Sequence, residues 1–184
     1  MPDIISIAHM LPANASSRNR ETRETRAIRY LVVHRDGMDV PGQTPYDPLA
    51  RYVMQAGKHM RRNWNSSETG PRVRGFGLMW HYRVSADGRI WRTQPEELVT
   101  WHTRGANYNG LAICCDLGKY QQPAAAQLAG LRALLDWLCN ERPDIPAGRS
   151  DVWAHSELQR SPYDRRCPGA LLPWVRAYRE GLLP

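Results

Sequence analysis

The sequence predicts an α/β fold: a single domain with a central mixed β-sheet flanked by helices. Three observations carry that expectation. Short β-branched or continuously apolar runs ("YLVV", "GLAICCDL", "VWA") alternate irregularly with longer segments of helical periodicity. No internal repeat or low-complexity linker divides the chain. At 184 residues, 42% of them hydrophobic, one core of adequate size can form without covalent staples.

The elements follow in order. Residues 1–26 are polar and lack periodicity, ending in "RNRETRETR", and read as an N-terminal arm wrapped on a domain of residues 27–184. "AIRYLVVH" reads as a strand ending at His34. "YDPLARYVMQAGKHMRRNW" reads as a helix, with Asp47 as N-cap and Pro48 in the first helical position. Its apolar face is Leu49, Tyr52, Val53, Ala56 and Met60. "NSSETGPRVRGFG" is a loop, and "LMWHYRVSADGRIWRT" a hairpin turning at Asp87-Gly88. "GLAICCDL" is continuously apolar, as a strand buried on both faces would be. "PAAAQLAGLRALLDWLCNER" is a helix with Leu128, Leu131, Leu135 and Leu138 in one stripe. "VWAH" is a last strand and "GALLPWVRAYREGLL" a last helix.

Composition narrows the function. The formal net charge is +7, and of 25 cationic side chains only Lys58 and Lys119 are lysine. The arginines are scattered among acids, with no helix-turn-helix, zinc-finger or RNA-binding signature, so the expectation is no nucleic acid. Attraction to an anionic cell envelope surface accounts for the charge. Cys114 and Cys115 are adjacent in an apolar run and Cys139 sits in a helical pattern, which is not a disulfide framework. The opening "MPDIISIAHMLPANASS" has no basic head, long apolar stretch or cleavage site. Synthesis in the cytoplasm without a signal peptide is therefore expected, with any action on the cell wall following release.

The segment "WAHSELQRSPYDRRCPG" brings His155 within twelve residues of Cys167. His34 and His155 each end an apolar strand pattern, where a rigid scaffold presents side chains to a cleft. Two imidazoles and a thiol are zinc ligands; three protein ligands leave a position for water, as in catalytic sites, whereas His81, His102 or another cysteine would close the set. There is no Gly-rich phosphate loop, nucleophile elbow or paired-carboxylate arrangement to compete with this cluster.

These segments together resemble the zinc-dependent N-acetylmuramoyl-L-alanine amidases, which share a fold with peptidoglycan recognition proteins and phage amidase endolysins. "YLVVH" resembles the strand of the first zinc histidine, and "MWHYRVSADGRIW" the strand, Asp-Gly turn and strand that follow. "WHTRGANYNGLAICCDL" is similar to the segment lining the substrate groove, "PAAAQLAGLRALLDWL" to the next helix, and "AHSELQRSPYDRRCPG" to the closing ligand motif. The resemblance spans roughly residues 27 to 175. It implies a zinc ion on His34, His155 and Cys167 in a cleft at the strand ends. It also implies bacteriolytic hydrolysis of the amide between N-acetylmuramic acid and L-alanine, with peptidoglycan (muramyl peptide) as partner. The groove position implies substrate contacts for Trp80, His102, Asn107 and Asn109.

The chain departs from the family pattern at three places. Trp80 stands where many relatives carry a catalytic tyrosine, and alternation places Tyr82 on the same strand face as a substitute. Cys114 stands where one branch has a catalytic glutamate. Arg165 replaces a lysine two residues before the zinc cysteine; it keeps the charge for an oxyanion but cannot exchange a proton. The alternative is a recognition domain that holds peptidoglycan without cutting it, which losing the tyrosine and glutamate favours and keeping Cys167 opposes. A nucleic-acid binder with structural zinc rests on charge alone. A monomer is expected.

Overall fold

The structure, a computed structural model, describes residues 1–14, 21–38, 47–61, 63–65, 72–74, 76–158 and 166–183. In chain order the strands are β1 (Ile4–Ser6), β2 (Tyr30–Gly37), β3 (Asn63–Asn65), β4 (Arg72–Arg74), β5 (Tyr82–Val84), β6 (Ile90–Arg92), β7 (Gly110–Gly118) and β8 (Val152–Ala154). The helices are α1 (Pro48–Arg61), α2 (Ala125–Asn140), the single turn α3 (His155–Leu158) and α4 (Leu172–Arg179). Among the described residues, one sheet has the order β1-β6-β5-β7-β2-β8, and β3 pairs with β4 alone. The hairpin β5–β6 is antiparallel and the other pairings of the large sheet are parallel, so the sheet is mixed, as the sequence predicts. No helix among the described residues is long and apolar enough to cross a membrane.

Strand β7 lies at the centre, between β5 and β2, and all nine of its residues are buried. That is why its sequence is continuously apolar rather than alternating. One face of the sheet packs Leu31, Val33, Ile113 and Tyr82 against Leu131, Leu134, Leu135 and Leu138 of α2 and Val175 and Tyr178 of α4. The other face packs Ala112, Cys114, Trp80 and Trp91 against Tyr52 and Ala56 of α1. Helix α2 sits tight against the β5–β6 turn: Gly88, at φ +86°, takes the left-handed conformation, and a Cβ on Gly130 would stand 2.2 Å from the Gly88 carbonyl oxygen.

Three expectations need correction. The segment 1–26 is not only an arm, because Ile4–Ser6 is an edge strand pairing with β6 and Ile7 and Leu11 enter the core. Strand β2 does not stop at His34; pairing with β7 continues through Arg35↔Cys115 before a register irregularity ahead of Gly37. Helix α1 starts as expected, with Asp47 Oδ1 accepting the Leu49 N–H at 2.9 Å and the Ala50 N–H at 3.2 Å. Its buried stripe is rotated, however: Arg51, Gln55 and His59 are buried with Tyr52 and Ala56, while Val53 is exposed. Hydrogen bonds from Arg51 and Gln55 to Asp36 offset the desolvation of those polar side chains.

Candidate metal centre

Strand β2 presents His34 on the face it shares with Cys114, its Cα partner in β7. The neighbouring β8 pairs only with Leu31–Val33 and ends at Ala154, so His155 opens α3 beside His34. The two imidazole centroids are 4.3 Å apart. Cys167 arrives from the segment before α4 and is tied down by its own backbone, its carbonyl accepting the Ser156 N–H at 2.8 Å. One donor atom from each of His34, His155 and Cys167 lies within 4.8 Å of the others, and all three residues are buried. His34 Nδ1 is 3.9 Å from Cys167 Sγ. Two tetrahedral ligands at Zn–N of about 2.05 Å and Zn–S of about 2.3 Å stand roughly 3.5 Å apart, so the His34–Cys167 separation is near what a shared zinc ion would need.

The electrostatics suit ligation. Burial, then the neighbouring imidazoles of His155, His102 and His81, push His34 well below its ordinary pKa, so it is neutral with a lone pair to offer. The Arg35 N–H donates to Cys167 Sγ at 3.4 Å, which favours the thiolate. Cys114, by contrast, is driven well above its ordinary value by burial and remains a thiol.

Around the donors the structure redistributes the expected roles. His102 is buried, with Nδ1 3.1 Å from His34 Nε2 and Nε2 3.2 Å from the Gly110 carbonyl oxygen. Asn107 holds the turn that carries it, Oδ1 accepting the N–H of His102 at 2.9 Å and of Thr103 at 2.7 Å. Asn109 is exposed just before β7, where its carbonyl accepts the N–H groups of Arg29 and Tyr30. Tyr30 pairs with Gly110 and His34 with Cys114, so Asn109 lies at the other end of the strand from the donors. Trp80 is only 7% exposed and belongs to the core under α1, with the His59 ring edge-on at 5.2 Å and the Arg83 guanidinium over it at 4.9 Å.

Tyr82 faces away from the donors. Alternation from Trp80 fails because β5 begins at Tyr82 and the preceding residues are irregular. Tyr82 aligns with Ile113, on the α2 face, and its hydroxyl donates to Glu96 Oε1. Burial and the Glu96 carboxylate push its phenol well up, so it holds its proton. Arg165 lies outside the described residues.

Sequence reasoning missed a buried ionic network beside the centre. Arg83, aligned with Cys114, donates from Nη2 to Asp36 Oδ2 at 2.6 Å, and from Nε to Asp116 Oδ1 at 2.9 Å. Arg51 adds bonds to both Asp36 oxygens at 2.7 and 2.8 Å, and Tyr52 donates to Asp116 Oδ2 at 2.8 Å. The available signal was three charges inside strand-forming runs, "VHRDG", "HYRVS" and "CCDLG", because charges buried in a sheet must find partners. His81 is a core histidine: Nδ1 accepts the Ala112 N–H at 2.9 Å and Nε2 donates to the Leu98 carbonyl at 2.8 Å. Burial lowers its pKa to about 3.

Known proteins share this fold. The chain covers 99% of itself and 98% of the N-acetylmuramoyl-L-alanine amidase LysC from Clostridium intestinale URNW, at 18% identity and a TM-score of 0.65. It matches the Ph2119 endolysin from Thermus scotoductus MAT2119 bacteriophage Ph2119 over 96% of this chain and 98% of that one, at 23% identity and a TM-score of 0.62. Peptidoglycan recognition protein LE, solved in complex with tracheal cytotoxin, matches with a TM-score of 0.70 at 18% identity, covering 95% of this chain and 92% of that one. At such identities the likeness is one of fold. No curated protein matches significantly in sequence. The Amidase_2 family, described as N-acetylmuramoyl-L-alanine amidase, matches residues 24–170, and the chain belongs to that family.

Proposed function

We propose that this protein is a zinc-dependent amidase that hydrolyses the bond between the lactyl group of N-acetylmuramic acid and the L-alanine of peptidoglycan, acting as a cell-wall lysin after release. The observation that carries this reading is the convergence of His34, His155 and Cys167 within 4.8 Å, from three separated segments of an amidase-family chain. A zinc ion held by these donors supplies a Lewis acid that polarises an amide carbonyl and acidifies water. The chain's own contribution is to keep His34 neutral, to favour the Cys167 thiolate through the Arg35 N–H, and to brace the donors from β2, β8 and the segment before α4. Arg165, two residues before Cys167, is proposed as the fixed cation that meets the developing oxyanion. The basic composition is proposed to draw the protein to anionic walls or membranes.

A second reading, peptidoglycan recognition without cleavage, is favoured by two observations: Tyr82 faces the other side of the sheet and Cys114 remains a thiol, so neither supplies proton transfer. Digesting murein sacculi with and without chelator, and identifying products by mass, separates the two. New L-alanine N-termini that disappear with chelator support the amidase; sacculi bound but intact support recognition alone.

A further inference from the structure

Two imidazole rings and one carbonyl form a chain leading away from the centre. Gly110 C=O lies 3.2 Å from His102 Nε2, His102 Nδ1 lies 3.1 Å from His34 Nε2, and His34 Nδ1 is the nitrogen facing Cys167. A carbonyl oxygen can only accept, so the His102 proton belongs on Nε2 and its Nδ1 carries a lone pair. Two imidazole nitrogens 3.1 Å apart need one proton between them, and that proton must then come from His34 Nε2. His34 is thereby left with its lone pair on Nδ1. The reverse assignment would set the His102 Nε2 lone pair against the Gly110 oxygen. The Thr103 hydroxyl, 2.9 Å from His102 Nδ1, can also donate to that lone pair, and its oxygen, 3.5 Å from His34 Nε2, can accept from the His34 N–H.

We infer that His102 is a positioning residue that selects the tautomer of His34, so that Nδ1 is the nitrogen presented to the metal. This rests on the metal-binding reading above. Two further features of the chain serve the arrangement. A Cβ on Gly110 would stand 3.0 and 3.1 Å from His102 Cε1 and Nε2, and 2.5 Å from the Ala106 carbonyl oxygen, so glycine is what lets the ring lie against the backbone. Asn107 fixes the backbone from which His102 projects, through its bonds to the His102 and Thr103 N–H groups. A histidine in this role differs from a carboxylate: it adds no negative charge to the site and orients its partner through a backbone carbonyl.

The test has two arms. Nitrogen NMR of the imidazoles in the metal-free wild-type protein reads the His34 tautomer directly, whatever the protein's activity. The expected result is a proton on Nε2 and none on Nδ1; a proton on Nδ1 overturns the inference. In the second arm, zinc affinity is measured by chelator competition on His102→Phe, which keeps a ring but no acceptor, and on His102→Asn, whose Oδ1 replaces the Nδ1 acceptor. The expected loss for the phenylalanine variant is about 10- to 100-fold, with most of it recovered by asparagine. Equal affinity in the folded phenylalanine variant and wild type overturns the inference. Wild-type protein that binds no zinc while showing the expected tautomer refutes the metal site and leaves the tautomer assignment standing.

Discussion

Asp36 and Arg83 meet at 2.6 Å, and neither side chain reaches solvent. Asp36 stands two residues past the donor His34 on the same strand, and Arg83 aligns with Cys114, the Cα partner of His34. The pair therefore buttresses the face of the sheet that carries the candidate centre. Removing Arg83 leaves the buried Asp116 without a cation and Asp36 with Arg51 alone, at a cost of about 3–5 kcal/mol. Arg83→Met should lower unfolding stability by that order in urea titrations. A loss under 1 kcal/mol would mean the network is not formed.

The same pair sets a pH dependence. Burial works against the Asp36 charge, but Arg83 and Arg51 outweigh it and hold the carboxyl below its ordinary value. Its stabilising contribution is then complete above the unfolded carboxyl pKa of about 3.9 and is lost as pH falls through the lower, folded value. Wild-type stability should drop below about pH 4, and Asp36→Asn should be less stable at pH 7 with a flatter acid limb. Parallel acid limbs in the two proteins would contradict this.

Tyr82→Phe should leave kcat unchanged, because the hydroxyl points to Glu96 on the α2 face. The expected cost is only stability, about 0.5–1.5 kcal/mol for one hydrogen bond. A hundredfold fall in kcat without loss of fold would return Tyr82 to the active site.

Arg165→Ala should keep zinc and fold but lose about a hundred- to a thousandfold in rate, the usual effect of removing one oxyanion donor. Arg165→Lys should recover part of it by restoring a cation. An Arg165→Ala enzyme with undiminished turnover would remove the residue from the mechanism.

Binding to anionic walls should weaken as salt rises, since exposed charges beyond a Debye length of about 8 Å at physiological salt are screened. Sedimentation of the protein with sacculi across a salt series reads this, and affinity unchanged from low to high salt would contradict it.

Much of this architecture is written in local patterns. The all-buried β7 follows from an uninterrupted apolar run, the start of α1 from Asp47-Pro48, and the hairpin from Asp87-Gly88. His34 and His155 were legible because each ends a strand pattern, and Cys167 because it follows His155 by twelve residues, just before the last helix. What was not legible depends on partners far apart in sequence. Helix α1 buries Arg51 and Gln55 only because Asp36 waits across the sheet face, and a hydropathy stripe cannot register that. Tyr82 was misplaced because alternation was extended through residues that are not strand. His102 was read as a groove residue, since its contact with His34 spans loops whose path no short motif encodes.

The most direct test of the zinc-amidase account is a titration of metal-stripped protein with zinc, following release of L-alanine N-termini from a defined muramoyl peptide. The account predicts no cleavage without metal, full activity at one equivalent, and no recovery in Cys167→Ala at the same zinc concentration. Cleavage by the stripped protein, or by Cys167→Ala at the wild-type rate, would contradict it.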